Sequence, residues 1–243
     1  MKNFRIAFDI RDKWDPSPVG HQFIKYHMIF DVKIDDLRRN ARMVADGHIT
    51  NTPLTITYAS VISCETLIID LTMAALHDLS VKTADITNAY IKAPCGEKVY
   101  TILGPEFVPY KGKLAVIFWA LYGLKSSGAS FRNHMADGMD HMGYKLLLAD
   151  PDLLMIPKTR NNGGLDYYEY VLLYVDKGLA IGDDLEEILK QVDKYFRLKS
   201  GLLADPNIYL GAKVNLMALL NGVRVWSLSP SKYVQVAVNN FET

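Results

Sequence analysis

The sequence predicts an α+β fold in which antiparallel hairpins build the sheet and helices back it. Two observations point there. Paired runs of aromatic and β-branched residues recur at hairpin spacing, above all over 167–181 (YYEYVLLYVDKGLAI). Helical stretches fall between such pairs instead of alternating with single strands, which disfavours a regular βαβ repeat and a Rossmann arrangement. A phosphate loop of the Gly-x-x-x-x-Gly-Lys-Ser/Thr kind does not occur.

Composition bounds the rest. The 243 residues are 49% hydrophobic and 22% charged, which suits one large domain or two subdomains sharing a core and excludes disordered, collagen-like and coiled-coil chains. Lys plus Arg and Asp plus Glu both total 27, and no segment forms a basic arm, so bulk charge gives no hint of a nucleic-acid partner. Two cysteines, Cys64 and Cys95, cannot form a disulfide framework or a zinc ribbon. His134 and His141 could share a helix face, where a solvated or core pair is the commoner outcome than a metal site. The apolar runs are short of a membrane span and the N-terminus alternates charged with apolar residues, so the expectation is an intracellular protein with no membrane partner.

In chain order, residues 1–20 read as an irregular lead-in broken by Asp15-Pro16-Ser17-Pro18. Residues 22–34 read as a strand, Asp35 to Arg39 as a turn and Ala41 to His48 as the returning strand. Ser60 to Leu79 reads as a helix with a broad apolar set (Val61, Leu67, Ile68, Leu71, Ala75, Leu76) and Ser63 available to cap it. A strand ends near Asp85, and short strands follow at 98–103 and 115–119. Ser126 to Met142 reads as a helix whose Phe131, Met135 and Met139 form a core stripe, stopped by Gly143. Two strands flank a turn at 176–178. Asp183 with Glu186 has the capping-box pattern of a helix start before Ile188, Leu189, Val192 and Phe196. A hairpin at 209–214 and 224–228 and a helix from Ser229 to Val238 close the chain.

Two carboxylates sit where an extended apolar segment ends or turns: Asp85 in ADITNAY and Asp176 in YVDK. Such a pair, converging in a cleft, can hold hard divalent ions through oxygen ligands and so stabilise the attacking and leaving oxygens of a phosphoryl transfer. From spacing alone, ordinary turn aspartates are the commoner explanation. Asp183 and Asp184 read as helix caps instead of a second catalytic pair.

Ordered blocks add to this reading. Phe30-Asp31-Val32-Lys33 with 41–48 (ARMVADGH), 84–94 (ADITNAYIKAP), Lys98-Val99-Tyr100, Gly104-Pro105-Glu106-Phe107, 120–125 (ALYGLK), Ala149-Asp150-Pro151-Asp152, Tyr174-Val175-Asp176, Tyr209-Leu210-Gly211 and 228–233 (LSPSKY) follow one another along nearly the whole chain. In this order and spacing the chain resembles the reverse transcriptase of copia-type LTR retrotransposons. The resemblance implies polymerase-like fingers and palm over 21–225, an antiparallel palm sheet backed by helices, and the start of a truncated thumb or connection at 226–243.

The resemblance also assigns roles. Asp85 and Asp176 match the metal-binding catalytic aspartates, with Mg²⁺ or Mn²⁺ as cofactor. Tyr90 matches the aromatic residue under the incoming sugar, Arg42 lies in the block facing the triphosphate, and Gly128 ends the loop into the helix that supports the templating pair. Partners would be an RNA or DNA template with primer and deoxynucleoside triphosphates, within a polyprotein that also carries RNase H and integrase, in a cytoplasmic virus-like particle. The departures are Lys177, where the family hairpin has its second aspartate, Asn40 and Asp46 in the fingers block, and Trp119 where a basic residue is common. They imply an impaired RNA-directed DNA polymerase. The alternatives are a non-catalytic nucleic-acid-binding remnant and an inert pseudogene product.

Overall fold

The computed structural model describes residues 8–32, 39–160, 166–199, 205–206 and 208–241. In chain order its elements are β1 (Phe8–Arg11), β2 (Gln22–Phe23), β3 (Tyr26–Val32), β4 (Arg39–Ala45), α1 (Cys64–Leu76), β5 (Ser80–Asp85), β6 (Val99–Ile102), β7 (Leu114–Ile117), α2 (Ser127–His141), β8 (Lys145–Leu146), β9 (Leu153–Lys158), β10 (Tyr167–Tyr174), β11 (Lys177–Gly182), α3 (Leu185–Phe196), β12 (Ile208–Tyr209), β13 (Ala212–Ala218), β14 (Arg224–Ser229) and α4 (Ser231–Phe241). Single 3-10 turns occupy Gly47–Ile49, Tyr90–Lys92 and Pro105–Phe107. This mixture of helices and largely antiparallel sheets is the predicted α+β class. None of the described helices is long and apolar enough to cross a membrane.

The chain divides into two compact units, residues 1–59 with 88–135, and residues 60–87 with 136–243. In the first, a sheet of order β1-β7-β6-β2 lies beside the separate hairpin β3-β4. Its core gathers Phe8, Ile24, Val99, Leu103, Ala115 and Ile117. The expected irregular lead-in is therefore corrected. Phe8 is buried and pairs with Ile117, so the segment joins the sheet as an edge strand before Asp15-Pro16-Ser17-Pro18 breaks it. The single strand expected over 22–34 is two strands, because the chain passes from one sheet to the other around the fully buried Ile24. Most of the turn expected at 35–39 lies outside the described residues, and Arg39 already belongs to β4.

Gly123 shows why a glycine stands in the 120–125 block. Its φ is +90°, and an added Cβ would lie 2.0 Å from the Ala45 carbonyl oxygen. That closeness comes from the backbone bond of Ala45 N–H to Tyr122 O at 2.8 Å, which fastens the loop to the end of β4.

The second unit is built on a five-stranded antiparallel sheet, β5-β11-β10-β9-β8, with a three-stranded sheet β12-β13-β14. Leu172, Leu179 and Ile181 of the central strands are fully buried against Leu67, Leu71 and Ala74 of α1. Ser63 caps α1 as expected, its Oγ accepting from Thr66 N–H at 3.0 Å. The broad apolar set expected for this helix divides: Leu67 and Leu71 are buried, whereas Ile68 and Leu76 are exposed. Phe131, Met135 and Met139 of α2 are buried, as their spacing predicted. The cap of α3 is Asp184, one of the two aspartates expected to cap it, which accepts from Glu187 N–H at 3.2 Å. Asp183 instead meets Arg160 at 3.0 Å. Strand β9 has no clear signal in the sequence, because Pro157 within it and Asp150-Pro151-Asp152 before it mask its strand pattern.

Replacing Gly123 by alanine forces both a left-handed backbone on a β-carbon and a clash with backbone. Urea unfolding of Gly123→Ala should therefore show a loss of more than about 2 kcal/mol relative to the native chain.

Candidate active site

Strands β10 and β11 are joined by the two residues Val175 and Asp176. The turn thus falls one residue earlier than the sequence suggested, and Lys177 and Gly178 belong to β11. A two-residue connection of this kind matches the strand twist when its first residue has positive φ. Val175 has φ +54°, a conformation that a β-branched residue adopts at a cost. On its other side β11 pairs with β5, and the register sets Lys177 opposite Asp85. The Ile86 N–H donates to the Asp176 carbonyl at 2.8 Å. The fold therefore brings Asp85 and Asp176, remote in sequence, to the same end of the same sheet.

The surroundings of Asp85 are cationic. Directly opposed residues on an antiparallel pair project from one face, so the Lys177 stem stands beside the Asp85 side chain. The Lys199 ammonium meets Asp85 Oδ2 at 3.1 Å, and the Lys199 N–H donates to the Asp85 carbonyl at 2.8 Å. An isolated bridge between Ile86 and Leu198 holds that segment in place. It follows Arg197, which ends α3 at φ +49° and whose carbonyl accepts from Thr87 N–H. Val175 and Arg197, both at positive φ, thus lie on the two segments flanking Asp85.

This donor set does not fit a pair of divalent cations. Hard cations of that kind need several oxygen ligands each. Here Asp85 and Asp176 share this end of the sheet with Lys177 and Lys199, so the local formal charge sums to zero, and one Asp85 oxygen is already engaged by Lys199. Among the described residues no group of three or more His, Cys, Asp or Glu is placed to hold a metal ion.

The remaining expected residues belong to the first unit. Tyr90 lies in a 3-10 turn, its ring 4.7 Å from that of Tyr122 and 6.2 Å from that of Phe131. Arg42 is exposed on β4 opposite Ile29. Gly128 is in the first turn of α2, where an added Cβ would come within 3.2 Å of the Ala59 Cβ.

Sequence reasoning missed two polar residues with defined work. Glu97, 7% exposed, accepts from the Ser126 N–H at 2.8 Å and the Ser126 hydroxyl at 3.0 Å, and so anchors the start of α2. Its other oxygen accepts from Thr50 at 3.5 Å, while Lys125 donates to the Thr50 carbonyl at 2.5 Å. Four polar groups thus tie the 120–125 block to the end of the Gly47–Ile49 turn. Lys199 was the second. A lone lysine beyond a helix carries no periodic signal, and only its bond to Asp85 distinguishes it.

Asparagine adopts the left-handed region far more readily than valine. The variant Val175→Asn should be more stable than the native chain by about 1 kcal/mol in chemical denaturation. An unchanged or lower midpoint would argue against the strained turn.

Comparison with known proteins bears on the whole chain. The family model described as reverse transcriptase (RNA-dependent DNA polymerase) matches residues 13–243. The retrovirus-related Pol polyprotein from transposon TNT 1-94 of Nicotiana tabacum is 25% identical over 236 residues, covering 92% of this chain and 17% of that protein. The corresponding polyproteins from transposons RE1 and RE2 of Arabidopsis thaliana are 26% and 25% identical over 203 residues, 76% of this chain and 13% of each of them. The chain thus spans less than a fifth of the length of these relatives. With a match over nearly its full length, and with relatives among plant copia-type elements, the chain belongs to the reverse transcriptase (RNA-dependent DNA polymerase) family.

Proposed function

We propose that residues 21–225 are the fingers and palm of a copia-type reverse transcriptase, that 226–243 begin a thumb or connection, and that nucleotidyl transfer by this chain is severely weakened. The reaction class is attack of a primer 3′-hydroxyl on the α-phosphate of a deoxynucleoside triphosphate, directed by an RNA or DNA template. The parent polyprotein would supply the RNase H and integrase parts.

The observation that carries this reading is Lys177 standing opposite Asp85 in the β5–β11 register. Asp85 and Asp176 are the proposed catalytic carboxylates. Tyr90 would lie under the incoming sugar and disfavour a ribose 2′-hydroxyl by contact. Arg42 would meet the triphosphate, and Gly128 would let α2 approach closely behind the templating pair. What the site lacks is negative charge. A second aspartate in place of Lys177 would change the local formal charge by −2. Two unit charges about 4 Å apart interact by about 4 kcal/mol at an effective dielectric near 20, so the exchange is large compared with one decade in rate.

A second reading is favoured by the same charge balance. Lys199, which pairs with Asp85, and Lys177 at the same end of the sheet offset the charge that Asp85 and Asp176 would otherwise turn on a phosphate backbone. On that reading the chain binds primer–template without turnover, and its affinity falls with salt as counterions are released.

Primer extension on a primed RNA template with Mg²⁺ or Mn²⁺ separates the cases. The native chain should extend at least about 100-fold more slowly than Lys177→Asp, equivalent to about 2.7 kcal/mol of barrier. Equal, robust synthesis by both would refute impairment at Lys177. Salt-sensitive duplex binding by both, with extension by neither, would support the non-catalytic reading.

A further inference from the structure

Helix α1 carries an acid on its buried face. Asp70 is 3% exposed and shares that face with Leu67, Leu71 and Ala74, all packed into the core of the second unit. Its Oδ2 is buried and accepts no hydrogen bond. An ionised carboxylate without partners in such surroundings is strongly disfavoured.

The groups around Asp70 do not offset its charge. Asp150 bears on it directly, and Asp150 itself is held ionised. Burial pushes the Asp150 carboxyl up, but bonds from Thr66 Oγ1 (2.7 Å), Ser63 N–H (3.1 Å) and Asp152 N–H (3.1 Å) outweigh this and hold it below the usual range. From β10 Asp70 meets the field of Tyr170, and from β12 that of Tyr209, whose hydroxyl donates to the Leu172 carbonyl at 2.9 Å and which also lies in the field of Asp152. Strands β11 and β14 also pack on α1; β11 has a charged side chain at its start, Lys177 opposite Asp85, and β14 has Arg224, which pairs with Asp78. Among the described residues no ion pair reaches Asp70.

We propose that Asp70 is a proton-operated latch in the second unit: with the carboxyl protonated, α1 stays packed on the sheet, and on ionisation α1 loosens from β11 and β14. Burial first, and the Asp150 charge second, push the Asp70 carboxyl up from the usual carboxylate range to about 7. In the unfolded chain it titrates near its ordinary value of about 4. Between those two pH values the folded chain holds one proton more than the unfolded chain. Stability therefore falls as pH rises from about 4 to about 7 and stays at the lower level above that. Strand β11 begins at Lys177, so the latch acts on the strand that carries one side of the hairpin.

The test is thermal unfolding of the full chain from pH 5.5 to 8.5, beside Asp70→Asn and Asp70→Leu. Between pH 6 and 8 the native folded-to-unfolded ratio should drop about tenfold relative to the variants, since one unit of that window lies below the folded pKa. This corresponds to a relative fall in Tm of about 4 °C for a chain of this size. Both variants should be more stable than the native chain at pH 8. Native and variant profiles that run parallel would overturn the proposal. Hydrogen exchange of the native chain gives an answer even where a variant fails to fold. Corrected for the intrinsic pH dependence of exchange, protection of Cys64–Leu76 should be lower at pH 8 than at pH 6. Unchanged protection there would equally overturn it.

Discussion

The register of β11 against β5 sets Lys177 opposite Asp85, and the next contact along, from Ile86 N–H to the Asp176 carbonyl, ties the hairpin tip to the end of β5. This pairing decides which side chains meet. A slip of one residue would turn Lys177 to the other face of the sheet and replace it by Gly178. The register is in turn fixed from below, because Leu179 and Ile181 alternate into a core that also takes Val81 from β5 and Leu172 from β10. The composition of the site is therefore a consequence of packing several residues away. The side chain at the hairpin tip is thus presented by a scaffold whose packing does not depend on it.

That separation explains what was legible in the sequence. Asp85 and Asp176 could be read because each ends an apolar run, and such runs announce strands. The α1 cap at Ser63 and the stripe Phe131, Met135, Met139 were readable for the same reason: they are local patterns with a fixed period. Lys199 was not readable. It reaches Asp85 through a short extended segment after α3, which has no periodicity, and its partner is 114 residues away. Glu97 was hidden likewise, since its worth depends on Ser126 and Thr50 arriving from elsewhere. Strand β1 was overruled by Asp15-Pro16-Ser17-Pro18, which breaks the chain only after Phe8 has already paired.

Asp70 differs, because the sequence did contain the signal. It stands three residues after Leu67 and four before Ala74, on the face that the helix buries. A broad apolar tally that includes Ile68 and Leu76 spreads the face around the helix and leaves Asp70 looking peripheral. The structure shows those two exposed and Asp70 enclosed. The width of the apolar stripe, more than its existence, was what the sequence left open.

Asp70 and Lys177 pose related physical problems within the second unit. One is a carboxyl among aliphatic side chains, whose surroundings favour its neutral form; the other is a lysine whose stem stands beside Asp85, where the proposed catalytic site would need negative charge. At the surface the fold loses little, because Lys177 has a stem long enough to reach solvent. In the core the cost falls on stability, because Asp70 has no such stem and must either keep its proton or draw α1 away from the sheet. Side-chain reach and depth thus decide how each side chain bears on the fold: a long stem carries a charge out to water, whereas a short one leaves it in the core.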